Sequence, residues 1–144
     1  MLVPDVNVYV NAFRADADDH ERDRSWLSEA VNGDELVGVS EQVLSSFVRI
    51  VTNHRIFKVP SRVDTAFEFC DELLSAPATI PVRPSETHWR RFVELCKRVQ
   101  VHGNLVPDAY IAALALESNA TVVSSDSGFA RFPGLRVRRP GETE

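Results

Sequence analysis

Short apolar runs alternating with segments of helical periodicity constrain this chain more than any other feature. "MLVPD" at the start, "ELVGV" (35–39), "ATIPV" (78–82), "ATVVSS" (120–125) and "LRVRR" (135–139) have the length and Val content of strands. Between them the apolar residues recur at helical spacing. His20 to Val31 puts Trp26, Leu27, Ala30 and Val31 on one face, with Asn32-Gly33 as a stop. Ser40 is placed to cap a helix over 41–53, and Ser61 one that carries Val63, Ala66, Phe67, Cys70, Leu73 and Leu74. Ser85 starts a helix with a Trp89, Phe92, Val93, Cys96, Val99 stripe. After the His102-Gly103-Asn104 break, with Asn104 as a cap, Pro107 suits the first turn of a helix reaching about Ser118. "DSGFARFPG" (126–134) reads as a loop with a short helical turn. Strand alternating with helix throughout predicts an α/β sandwich around a mostly parallel sheet.

The 144 residues suit a single domain over 1–144 with a sizeable core. No apolar run is long enough to span a bilayer, and "MLVPD" lacks the basic start and apolar core of a secretory signal, so a cytoplasmic protein is expected. Cys70 and Cys96 fall within helical apolar patterns and read as reduced core thiols. His20, His54, His88 and His102 are scattered, with no zinc-type spacing. A net charge of −5 argues mildly against a nucleic-acid partner. Against that, only Lys58 and Lys97 of the 16 basic residues are lysine, and arginine suits bidentate phosphate contacts.

Asp5 stands among Leu2, Val3, Val6 and Val8, where an unpaired carboxylate is costly. Ligands of open α/β sheets gather beyond the carboxyl ends of the strands. Asp5 follows the first strand, Glu41 the second and Asp126 the strand "TVVS", while Asp108 lies in the first turn of its helix. Each has a simpler reading: helix cap for Asp5, dipole complement for Asp108, helix-start acid for Glu41, turn former for Asp126. Together on one rim they would repel, and a hard divalent cation with oxygen ligands relieves that repulsion. Asn7, Ser124 and Ser125 are placed to hydrogen-bond such acids, and Arg14, Arg49 and Arg131 to meet phosphate, although each arginine also reads as solvated surface.

Three segments in order, "PDVNVYVNAFR", "SEQVLSSFVRIVTNHRIF" and "GNLVPDAYIAALALESNATVVSSDSGFARFPG", make the chain resemble the PIN-domain ribonucleases, in particular the VapC-like toxins of bacterial toxin–antitoxin modules. The resemblance covers nearly the whole chain. It implies a PIN-like three-layer α/β/α sandwich with four or five mostly parallel strands. It implies a metal-dependent endoribonuclease in which Asp5, Asp108, Asp126 and a fourth acid hold Mg²⁺ or Mn²⁺, cleaving RNA to leave a 5′-phosphate. It also implies homodimerisation and a cognate antitoxin. Many members carry a Glu inside the helix after the second strand; here Ser46 occupies that place in "LSSF", and Glu41, the only acid of the helix, is expected to substitute. The apolar surplus of that helix (Val43, Leu44, Phe47, Val48, Ile50, Val51) is expected to serve an interface.

Two rival readings remain at this level. A phosphoacceptor receiver domain needs an acidic pair after its first strand and a late lysine; "DVNV" supplies one acid, and Lys97 sits mid-helix. A PIN-like module that binds RNA or a protein without catalysis would tolerate Ser46 in place of the glutamate. Nucleotide-loop folds are excluded by the absence of GxGxxG or GxxxxGK spacing.

Overall fold

A computed structural model describes residues 1–142. The chain runs β1 (Leu2–Pro4), α1 (Val6–Phe13), α2 (His20–Val31), β2 (Val37–Val39), α3 (Glu41–Val51), α4 (Val63–Ser75), β3 (Thr79–Pro81), α5 (His88–Val99), α6 (Leu105–Glu117), β4 (Thr121–Val123) and β5 (Arg136–Arg138), with a 3₁₀ turn over Ser127–Arg131. The strands form one sheet in the order β3-β2-β1-β4-β5. Every pairing is parallel, with Val3 beside Val122 and Gly38 beside Ile80. β1 lies at the centre, and the strand order reverses across it. This is the switch point where an α/β sheet opens a crevice beyond its carboxyl edge.

Burial explains why such short strands persist. β1, β2 and β4 are buried along their whole length, as a parallel sheet with helices over both faces requires. On one side α1, α3 and α4 enclose an aromatic cluster. Phe47 packs at 5.3 Å from Phe13 and 5.0 Å from Phe69 between ring centroids, and Tyr9 meets Phe69 edge-on. Of the six apolar residues singled out in α3, Val43, Leu44, Phe47 and Val51 go into the core, Val48 and Ile50 stay half-buried, and α4 adds an exposed apolar stripe at Val63, Phe67 and Leu74.

Gly38 in β2 has no room for a side chain. A Cβ there would overlap Val82 Cγ2 and press on Val3 Cγ2 at 3.2 Å. Gly38→Ala is accordingly expected to destabilise the protein by about 1–3 kcal/mol, read as a fall in urea midpoint at unchanged slope.

Four helix starts differ from the sequence expectation. Ser40 occupies the cap position of α3 but its side chain makes no capping bond. Ser61 lies two residues before α4, because its hydroxyl accepts from Arg14 Nη1 at 2.9 Å. Ser85 lies three residues before α5, where its hydroxyl bonds the Glu117 carboxylate at the far end of α6. Asn104 precedes α6 without a side-chain cap. In each case a tertiary contact, or none, replaces the local bond that the residue type suggests.

Two polar clusters lie inside. His88 Nδ1 meets Glu117 Oε2 at 2.6 Å across the α5–α6 contact, with both side chains buried. Burial would raise the Glu117 pKa, yet the hydrogen bonds from Ser85 and His88 and the His88 charge outweigh it and hold the carboxyl below its usual range. In α2, Asp23 is fully buried and accepts from Arg22 Nε at 2.8 Å and from Asn11 Nδ2 of α1 at 2.8 Å. Among the described residues no helix is long and apolar enough to cross a membrane.

Candidate active site

Asp5 is the hinge between β1 and α1. Its backbone remains extended, and its N–H continues the ladder to Val123 O at 2.9 Å, so the side chain is fixed at the carboxyl edge of the central strand. It is 6% exposed. Burial raises its pKa more than the Val6 and Asn7 amides and the Ser124 hydroxyl lower it, and the Asp126 charge adds to the rise.

Ser124, the first residue beyond β4, is the hub of the site. Its buried hydroxyl accepts from Asn7 Nδ2 at 2.9 Å and from the Asp126 N–H at 3.0 Å, which leaves its own proton for Asp5 Oδ2 at 3.1 Å. Asn7 also accepts from the Ser125 N–H at 3.4 Å. One hydroxyl thus ties the end of β1, the first turn of α1 and the loop after β4 together. Asp126 accepts from the Gly128 N–H at 2.7 Å and caps the 3₁₀ turn. Its capping role and its place beside the other acids coexist, because only Oδ1 is used.

Asp108 reaches the same rim from the first turn of α6. Its pKa is pushed up to about 6, first by burial and then by the negative charges of Asp5 and Asp126, with Arg131 opposing. Asp5 and Asp108 line a cleft of about 50 Å³ with Gln42, Ser46, Pro107 and Ile111. That volume has room for an ion and a few waters.

Glu41, expected as the fourth ligand, is not brought to this cleft. It is 70% exposed, pairs with Arg83 at 3.2 Å, and lines a separate groove with Leu44, Val48 and Phe67. The cause is helical geometry: Gln42 and Ser46, one turn apart, face the acids, and Glu41 is rotated by about 100° from Gln42. Arg14, expected to meet phosphate, is likewise engaged away from the acids. Its Nε and Nη2 hold Asp16 at 2.8 and 2.6 Å, its Nη1 bonds Val59 O and Ser61 Oγ, and its plane covers the Phe57 ring at 4.1 Å. It clamps the α3–α4 loop. Arg49 lines the same groove as Glu41, which leaves Arg131 as the predicted arginine whose charge reaches Asp108.

Among the described residues no three carboxylate, imidazole or thiol groups converge into a ready-made cation cage. The donors at the cleft still fit a hard cation that keeps most of its waters, which one or two carboxylates suffice to hold. Two acids with raised pKa values, facing one another beside hydroxyl and amide oxygens, are the environment such an ion stabilises. The Asp23, Arg22 and Asn11 cluster beside this site is not legible in the local sequence, because the mixed-sign run "RADADDHERDR" (14–24) reads by itself as a solvated loop and helix start. The available signal was register: Asp23, Leu27 and Val31 recur at i, i+4, i+8 on the buried face of α2.

The chain belongs to the PIN-domain family, whose model matches residues 2–135, and within that family to the VapC group. It is 47% identical over 140 residues to ribonuclease VapC43 of Mycobacterium tuberculosis, covering 97% of this chain and 95% of that protein. It is 37% identical to ribonuclease VapC25 of the same organism, covering 97% and 99% respectively. Solved structures share the fold. VapBC2 from Rickettsia felis bound to promoter DNA superposes with a TM-score of 0.67 at 22% identity, covering 96% of this chain and 97% of that one. M. tuberculosis VapC20, described as a sarcin-ricin-loop-cleaving toxin, gives 0.66 at 13% identity, covering 94% and 99%.

Proposed function

We propose that this protein is a metal-dependent endoribonuclease and the toxin of a toxin–antitoxin pair. The observation that carries this reading is the meeting of Asp5 and Asp108, from opposite ends of the chain, in one partly desolvated cleft at the switch point of the sheet. Relatives named as ribonucleases over nearly their full length support it.

Asp5 and Asp108, with Asp126 at the rim, would hold Mg²⁺ or Mn²⁺. When bound, such an ion supplies a water of lowered pKa and positive charge for a phosphate oxygen. The chain's own residues arrange the rest. Ser124 directs its proton to Asp5 and so keeps that carboxylate turned toward the cleft. Asn7 fixes the Ser124 lone pairs and steadies the Ser125 amide. Arg131, anchored on Gly128 O at 2.8 Å, presents a guanidinium beside the acids where a phosphate would enter. Among the described residues no histidine lines the cleft to activate Ser46 as a nucleophile, which favours water as the attacking group.

The test is cleavage of total RNA by the purified chain with Mg²⁺ and with EDTA. Loss of cleavage in EDTA and products degraded by a 5′-phosphate-dependent exonuclease are expected; equal cleavage in both overturns the assignment. Glu41→Gln is expected to leave cleavage within about twofold of wild type, since it removes only a pair between exposed side chains. A large loss would return Glu41 to the site.

Ser46 in the cleft, where many members of the family carry a glutamate, favours one alternative, a module that binds without catalysis. Calorimetry with Mn²⁺ separates the two, because a scaffold without catalysis has no need of the ion. A cognate antitoxin is the proposed protein partner, in line with solved relatives that are toxin–antitoxin complexes. A homodimer is proposed as well, and light scattering at micromolar concentration checks it.

A further inference from the structure

The loop that carries Asp126 is held from outside the acidic site. Arg22 of α2 donates through Nη2 to Ser125 Oγ at 2.7 Å, between the hub Ser124 and Asp126. The other edges of the guanidinium are fixed. Nε bonds the fully buried Asp23 at 2.8 Å, and Nη1 pairs with Asp19 at 3.1 Å. Asp23 in turn is locked by Asn11 of α1. A planar guanidinium gripped on two sides has one remaining direction, and that direction is Ser125.

The strut acts by geometry. The charge of Arg22 is already paired with Asp19 and Asp23, whereas the charge of Arg131 reaches Asp108. The loop needs such a hold, because among the described residues the side chains that bond the segment from Ser125 to Gly128 from outside it are Asn7 at 3.4 Å, the neighbouring Ser124 hydroxyl, Arg22 and, at Gly128 O, Arg131 of the following turn.

We propose that Arg22, seated on Asp23 and Asp19, is a positioning residue: through Ser125 it sets where the Asp126 carboxylate stands relative to Asp5 and Asp108, and thereby the affinity of the site for its cation. This inference rests on the metal-dependent reading of the site. Neighbours that orient metal-binding side chains typically change metal affinity tenfold to a hundredfold when removed.

The test uses Ser125→Ala, which frees the loop and leaves the Arg22–Asp23 pair intact, and Arg22→Lys, which keeps a cation for Asp23 but cannot span to Ser125. Each variant is expected to weaken Mn²⁺ binding in calorimetry by about tenfold, and the double variant no further. In metal-free protein, amide exchange at Asp126 and Gly128 should quicken in both while α1 and α2 stay protected, and Ser125→Thr should restore both readouts. For cleavage, kcat at fixed subsaturating Mn²⁺ falls while KM for RNA holds. Additive losses, or Mn²⁺ affinity and loop exchange like wild type in Ser125→Ala, overturn the strut. Wild-type protein that binds no Mn²⁺ overturns the metal reading itself and this inference with it, so the two failures are told apart by the wild-type titration.

Discussion

Asp108→Asn is expected to abolish RNA cleavage and, in metal-free buffer at neutral pH, to make the protein more stable. The loss follows from removing one of the two carboxylates that meet in the cleft; about a thousandfold in rate corresponds to ~4 kcal/mol of barrier. The gain follows from the pKa. Asp108 sits at about 6 in the folded protein against an ordinary 3.8, through burial and the charges of Asp5 and Asp126. Between those values the folded chain binds more protons than the unfolded one, so stability falls as pH rises through the window. Below it both states are protonated, above it both are ionised, and this group adds no further pH dependence. Wild type should therefore lose on the order of 2 kcal/mol relative to Asp108→Asn between about pH 4 and pH 6, with screening of the half-buried group allowed for. Urea titrations in EDTA at the two ends of this window measure it. Mg²⁺ at a hundred times its Kd should then restore ~2.7 kcal/mol to wild type and far less to the variant. A variant less stable than wild type at pH 7.5 without metal would show that the acids do not repel one another, and the site argument would fail at its base.

The largest loss of stability from a single polar residue is expected for Asp23→Ala. This carboxylate has no exposure, and it accepts hydrogen bonds from Arg22 and from Asn11. Deleting it leaves a part-buried side-chain amide without its acceptor between α1 and α2 and opens a small void. Because Arg22 stays partly exposed and can be solvated, losing this network costs about 2–3 kcal/mol, and in a chain of this length that lowers the melting temperature by roughly 5–10 °C. Asp23→Asn keeps one acceptor oxygen and should lose about half as much. Thermal unfolding followed by circular dichroism distinguishes the two. A change within 0.5 kcal/mol for Asp23→Ala would mean that α1 and α2 are held by Leu27 and Val31 packing alone.

Much of this was legible in the chain. The alternation of β-type runs with helical stripes located the five strands and the helices from His20 onward to within a few residues, because burial on both faces of a parallel sheet leaves a continuous apolar signature. Asp5 stood out because a carboxylate inside such a signature needs a reason. Asp108 and Asp126 could be placed on the same rim from topology alone. The cap residues Ser61 and Ser85 misled, since a hydroxyl that favours a helix start equally serves a distant arginine or glutamate. Glu41 misled for a rotational reason: next to the right position on a helix is about 100° from the right direction.

Sequence by itself determined the layer architecture, the family and the acids that have to be explained, since these depend on periodicity and on residue chemistry, which the chain carries locally. Which acids face one another was decided only by the tertiary structure. It turned Ser46 and Gln42 toward the cleft and Glu41 away, spent Arg14 on a loop clamp, and made Ser124 and Arg22 the fixtures of the site. Those outcomes depend on the angle at which each side chain leaves its helix or strand and on hydrogen bonds between residues up to 119 positions apart, as from Ser124 to Asp5. No local pattern encodes that geometry.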